Sequence, residues 1–190
     1  WGEQWPLMLR GFGREDYRPP MYAWLCAIPI KLFGFSIVTG RVISALAGCA
    51  SLVLLYLVGR RMGGRGFAAL ALLLAVLSPW HLVFSRLASE GTMLPPFFLI
   101  AACYLWQRAY DKHYSYGSLL LLGLCVGLGT NTYQASKLLF LLVAIWVVID
   151  LRRADRFLAK AAALGLGCLI GAAPQLLLAI TQPAHFFSRA

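Results

Sequence analysis

The sequence predicts an all-α, polytopic bundle of transmembrane helices, and three observations predict it. Hydrophobic residues make up 61% of the 190, with a mean hydropathy of +0.74; soluble domains hold roughly 45–50%. These residues fall in continuous runs of roughly 15–20, the length a bilayer demands of a helix. The basic residues gather in short loops between the runs. A transmembrane β-barrel would need alternating segments of about ten residues instead. The formal charge of +10, from 17 Lys and Arg against 7 Asp and Glu, therefore reads as membrane topology. Nucleic-acid binding is not indicated, because no basic helix face or aromatic–basic platform accompanies the charge.

The elements follow in order. Residues 1–36 read as an outer loop. Trp1, Trp5, Phe12 and Tyr17 are mixed there with charged groups, a composition that suits headgroup depth. Within it, Pro19-Pro20 opens the apolar segment MYAWLCAIPIKLFG. That segment is too short to span and reads as an interfacial or re-entrant helix. Six transmembrane helices are expected within 37–180: roughly Ile37–Val58, Gly66–Pro79, Met93–Trp106, Ser118–Leu128, Leu138–Ile149 and Ala161–Ile180. Pro95-Pro96 fall early in the third, where a first turn tolerates proline. Residues 181–190 read as an outer tail, and the whole of 1–190 as one membrane domain. The five cysteines lie in apolar runs with no metal-ligand spacing, so they read as small buried residues. Gly165, Gly167 and Gly171 read as permitting close helix packing. The loop Gly63-Gly64-Arg65-Gly66 lacks the preceding strand and following Lys-Ser/Thr of a phosphate loop.

Six crossings sort the loops by side. One side receives Arg60, Arg61 and Arg65, then Arg108 and Lys112, then Arg152, Arg153, Arg156 and Lys160. The positive-inside rule makes that side cytoplasmic. The other side receives residues 1–36, Ser78–Pro96, Gly129–Lys137 and the tail. Every polar cluster that suggests chemistry is therefore expected on the outer face: Glu3, Glu15, Asp16 and Arg18; then His81, Arg86 and Glu90; then Asn131, Tyr133, Gln134 and Lys137. Arginine grips phosphate through paired, charge-assisted hydrogen bonds. A carboxylate kept ionised by that cation can accept a proton from a hydroxyl. Phosphate departure with hydroxyl deprotonation describes sugar transfer from a lipid-linked sugar phosphate, which would lodge at the membrane's edge.

The segments DYRPPMYAWLCAIPIKLFG, RVISALAGCASLVLLYLVGRRMGGR, SPWHLVFSRLASEGTMLPP and GLGTNTYQASKLL follow one another in order. The series resembles the bacterial branch of the protein O-mannosyltransferase-like glycosyltransferases of GT-C fold, which includes the aminoarabinose–lipid A transferases. The resemblance runs from about Gly11 to about Leu151. It implies a multi-pass enzyme of the bacterial inner membrane. Such an enzyme moves a sugar, with inversion, from a polyprenyl-phosphate carrier to an acceptor hydroxyl on the extracytoplasmic side. By the same resemblance the basic residue before the paired prolines, Arg18, holds the carrier phosphate, with Arg86 as a second contact. The carboxylate after the second span is Glu90. The main base is expected in an acidic pair upstream of Trp1, with Asp16 or Glu15 as stand-ins, so a preceding span and a C-terminal part are expected outside this sequence. Tyr133, Gln134, Lys137 and His81 would line the substrate cavity. Some relatives use a divalent cation, but no cofactor or metal ligand set is demanded by the residues. The acceptor is not legible.

Each candidate also has a plainer reading. Glu90 can pair with Arg86 four residues before it, although Arg before Glu is the weaker order on an isolated helix. Arg86 and Arg18 can snorkel to headgroups. His81, beside Trp80, can pack at the interface, and Tyr133, Trp80 and Trp106 can serve as belt anchors. Two rival functions remain open: a transporter or lipid flippase, and a non-catalytic membrane subunit. Transporters favour charges or broken helices at mid-membrane in matched halves, whereas the charges here stand at span ends.

Overall fold

The computed structural model describes residues 9–10, 17–18, 21–87, 93–133, 136–152 and 154–181. Its architecture is an all-α membrane-type bundle. Among the described residues the one departure is a two-residue antiparallel pairing of β1 (Leu9–Arg10) with β2 (Tyr17–Arg18), in which Leu9 faces Arg18 and Arg10 faces Tyr17. The helices are α1 (Met21–Phe33), α2 (Ile37–Leu77), α3 (Pro79–Phe84), α4 (Leu94–Asp111), α5 (Tyr116–Gly129), α6 (Ser136–Leu151) and α7 (Phe157–Thr181).

Helix α2 begins on a capping box. The Ser36 side chain accepts from the Thr39 amide at 3.1 Å, and the Thr39 hydroxyl accepts from the Ser36 amide at 2.9 Å. These bonds satisfy amides that a helix start leaves open. Forty-one residues in one rod would extend about 62 Å, twice a hydrocarbon core. The chain instead turns back at Gly64, where φ is 80° and ψ −172°. This region is essentially reserved for glycine. As a result Gly59 lies against Ala68, whose Cα would be 3.2 Å from a Cβ placed on Gly59; nine residues along a straight helix would separate them by about 13 Å. The glycine loop is thus the turn of a helical hairpin, and its two arms match the first two expected spans.

Helices α4 to α7 match the last four expected spans: α4 starts one residue later and runs five further, and α5, α6 and α7 are one to four residues longer at each end. Arg108 and Asp111, expected in a loop, stand in the last turn of α4, and Lys160 and Lys137 stand in the first turns of α7 and α6. Backbone hydrogen bonding does not stop where apolar side chains stop, and long cationic side chains reach water from inside a helix. Among the described residues, Val38–Leu77 and Phe157–Leu177 are the helices long and apolar enough to cross a membrane, by length and composition. Helix α5, with 14 residues, rises only about 21 Å.

The tightest packing joins α5 to α7. A Cβ on Gly123 would overlap the Leu164 carbonyl oxygen, and one on Gly127 the Cys168 carbonyl oxygen. Gly167 and Gly171 stand equally close to the Leu120 and Leu124 carbonyls. A step of four along α5 matches a step of four in the same direction along α7, so the two helices run parallel and α6 returns between them. Gly165, grouped with the packing glycines from sequence, has open space around its Cβ position. Cys49 is likewise exposed, although Cys26 and Cys125 are buried. The core runs from Met93 and Phe98 through Leu119, Leu122 and Phe140 to Val147 and Leu151.

Side-chain bonds gather the three basic loops at one end of the bundle. Arg61 from the α2 turn binds Asp111 of α4 at 2.8 Å. The Lys160 ammonium of α7 donates to the His113 carbonyl, between α4 and α5, at 3.0 Å. Asp150 of α6 accepts from the Trp106 indole at 3.1 Å and from the Tyr114 hydroxyl. Trp106 is therefore the partner of a half-buried carboxylate, where the sequence suggested a belt anchor. Tyr114 is aimed by a turn in which His113 and Tyr114 both adopt positive φ, 49° and 56°. That turn is closed by the Tyr114 amide on the Ala109 carbonyl at 2.7 Å.

Candidate functional site

Of the described candidates, His81 stands on a helix packed against the first arm of α2, and Arg86 follows that helix. Helix α1 docks there because the Tyr22 hydroxyl donates to the Gly40 carbonyl at 2.6 Å and lies 3.0 Å from the Ser44 hydroxyl. Three residues before α1 stands Arg18, whose backbone is fixed by pairing with Leu9. Helix α3 docks on the same arm two turns further along. A Cβ on Gly48 would come within 2.9 Å of the Ser85 Cβ, 3.6 Å of the Met93 methyl and 3.7 Å of the His81 Nε2. Gly40 and Gly48 are about 12 Å apart along the helix axis. Helix α1, which begins three residues after Arg18, and helix α3, which carries His81 and is followed by Arg86, thus pack on one short length of α2.

Helix α3 exists because Pro79 occupies its first position, where the missing N–H costs nothing. It ends at Phe84, and Arg86 follows in a turn, exposed, with its amide on the Val83 carbonyl at 3.1 Å. The shared helical face suggested by the Arg86–Glu90 spacing is therefore not carried by α3. Trp80 is half exposed and its ring lies 5.1 Å from that of Phe84, in keeping with an interface position. His81 stands past Pro79, where burial draws its pKa below the ordinary histidine value, so the neutral imidazole is favoured near pH 7.

The third group sits on the turn between α5 and α6. Asn131 is fully buried, and its side-chain amide donates to the Gly171 carbonyl at 2.9 Å and to the Gly127 carbonyl at 3.2 Å. Thr132 is also fully buried, its hydroxyl on the Gly129 carbonyl at 2.6 Å. These bonds hold Tyr133 outward at 46% exposure, with Lys137 partly buried in the first turn of α6. Helix α3 makes its principal contacts with α2, whereas this turn belongs to α5, α6 and α7. Glu90, Asp16, Glu15 and Gln134 lie outside the described residues, and Arg18 is described by its backbone alone. Among the described residues no group of three or more His, Cys, Asp or Glu is placed to hold a metal ion.

Sequence reasoning passed over Asn131 as a helix-to-helix tie and the pair Gly123 and Gly127 as partners of Gly167 and Gly171. Both sets share the small-xxx-small spacing, G-LCV-G in α5 and G-CLI-G in α7, which was the available signal.

The family model described as dolichyl-phosphate-mannose-protein mannosyltransferase matches residues 17–177. The chain belongs to this family. In this mannosyltransferase family member the matched region begins at the Tyr17–Arg18 strand and runs through α7 almost to its end. A protein of Aquifex aeolicus (strain VF5), described as uncharacterized, is 32% identical over 96 residues, half of this chain. The match covers 19% of that relative's own length. No solved structure matches.

Proposed function

We propose that the protein transfers a sugar from a polyprenyl-phosphate carrier to an acceptor hydroxyl on the extracytoplasmic face of the bacterial inner membrane, with inversion at the sugar carbon. The observation that carries this reading is the family match over 17–177, which makes glycosyl transfer in a membrane the expected chemistry. It is supported by the packing of α1, which begins three residues after Arg18, and of α3, which Arg86 follows, on one arm of α2.

The chemistry follows from charge. The acceptor oxygen bonds to the anomeric carbon as the carbon–oxygen bond to the carrier phosphate breaks, and the bonding pair leaves with the phosphate. Arg18 and Arg86 are proposed to meet the charge that develops there. Fixed cations lower a barrier most where charge grows between ground and transition state. A carboxylate, Glu90 or Asp16, takes the acceptor's proton. His81, Tyr133, Gln134 and Lys137 are proposed to line the space for sugar and acceptor. Donor entry from the outer leaflet would leave the isoprenoid chain in lipid throughout.

The test supplies the protein, in bilayers, with labelled sugar on polyprenyl phosphate and, separately, as a nucleotide sugar. Label passing to a hydroxyl acceptor from the lipid-linked donor alone supports the reading. Use of the nucleotide sugar, or passage of the intact lipid between leaflets with no transfer, overturns it.

A further inference from the structure

Two adjoining hollows open at the basic end, away from every residue assigned above. The larger, about 510 Å³, is lined by Arg61, Met62, Trp106, Gln107, Tyr110 and Asp111. The smaller, about 380 Å³, shares the Tyr110–Asp111 wall and adds His113, Asp155 and Lys160. We propose that together they seat the headgroup of an aminophospholipid, phosphatidylethanolamine, from the leaflet on the basic side.

Five observations point to this ligand. The Gln107 side-chain oxygen is buried and has no hydrogen-bond partner. Such a group carries a desolvation cost until a donor reaches it, and a primary ammonium offers three N–H groups. The aromatic faces of Trp106 and Tyr110 in the same hollow favour a cation.

Phosphate donors stand beside it. Lys160 uses one of its three N–H groups on the His113 carbonyl. Arg61 places one Nη1 bond on Asp111 and stacks 5.2 Å from the centre of the Tyr104 ring. Both keep donors for a phosphodiester.

The charge count selects a zwitterion. Arg61 and Lys160 balance Asp111 and Asp155, so the lining is neutral. The two carboxylates oppose a dianionic free phosphate and oppose a purely anionic headgroup. Finally, Met62 lines the larger hollow and is 70% exposed, an apolar side chain beside the headgroup position against which an acyl chain can lie. The inference rests on the membrane setting and not on sugar transfer.

The protein, as it occurs in the cell, would be reconstituted in phosphatidylcholine bilayers doped with either phosphatidylethanolamine or phosphatidylglycerol. Retained lipid would be counted by native mass spectrometry. Phosphatidylethanolamine is expected to be retained about tenfold over phosphatidylcholine, which has no N–H to give Gln107, the size of effect one charge-assisted bond supplies. Gln107→Leu should abolish that preference, and Lys160→Ala should weaken retention of both lipids. Soluble phosphoethanolamine should not displace the lipid. Equal retention of the two zwitterionic lipids, preference for phosphatidylglycerol, or full displacement by phosphoethanolamine would each overturn the proposal. The parent's lipid preference decides even where a variant does not fold.

Discussion

Arg61 and Asp111 meet at 2.8 Å across fifty residues of sequence. The pair is half exposed, and its own contribution to stability is small. Its value is topological. It joins the turn of the α2 hairpin to the end of α4, and with the Lys160–His113 and Asp150–Tyr114 bonds it collects all three basic loops at one end. Two long helical segments separate each loop from the next, the spacing that the sequence's charge alternation expects.

The hairpin turn gives a first prediction. Gly64→Ala forces a side chain into a backbone region reserved for glycine and should cost about 1–3 kcal/mol. Gly66→Ala, whose Cβ position is open, should cost little. Thermal unfolding in detergent compares the two; equal effects would mean that the reversal does not depend on Gly64.

The α5–α7 contact gives a second. Gly123→Leu or Gly167→Leu inserts atoms where backbone carbonyls already sit, and overpacking of this kind costs about 1–3 kcal/mol or more. Gly165→Ala, on an open face of the same helix, should be neutral or stabilise by up to about 1 kcal/mol through helix propensity. Unfolding midpoints of the variants read the contrast directly, and a destabilising Gly165→Ala would contradict the assigned faces.

A third concerns Asp150. Asp150→Ala strands the Trp106 indole N–H and the Tyr114 hydroxyl and should destabilise by about 1–3 kcal/mol. Tyr114→Phe removes one bond and strands no donor, so it should cost less. A double-mutant cycle between positions 114 and 150 should give a coupling that a purely apolar contact would not.

These features divide what the sequence revealed from what it hid. The runs of apolar residues gave six helical segments in their right order, the paired prolines opening α4 and the glycine turn within α2, because each depends on local pattern or backbone freedom. Helix ends were cut short at Arg108, Lys137 and Lys160, because a charge was read as leaving the membrane when it was only snorkelling. The Trp106–Asp150 bond joins residues 44 apart, and no local rule encodes such a pairing. Asn131 was read with its neighbours as a site residue, yet its amide ties two helices together. At the candidate site the residue types were legible, whereas the packing of α1 and α3 on one arm of α2 required coordinates.

That packing gives a fourth prediction. Gly48→Ala brings a methyl within 2.9 Å of the Ser85 Cβ and should push α3, with His81 and Arg86, off α2. Sugar transfer should fall by about tenfold, roughly what 1.4 kcal/mol of misplacement removes. Ser85→Gly in the same chain should restore most of it, since it vacates the space. Failure of the second substitution to rescue would separate α3 docking from activity.

The most direct measurement is transfer of labelled sugar from polyprenyl phosphate by Arg18→Ala, beside the parent, in the same bilayers. Loss of a cation that meets the departing phosphate should lower turnover at saturating donor by about a hundredfold, in line with removal of one transition-state donor, while unfolding stays unchanged. Undiminished turnover by Arg18→Ala would contradict the assignment of the outer end as the place where the carrier phosphate leaves.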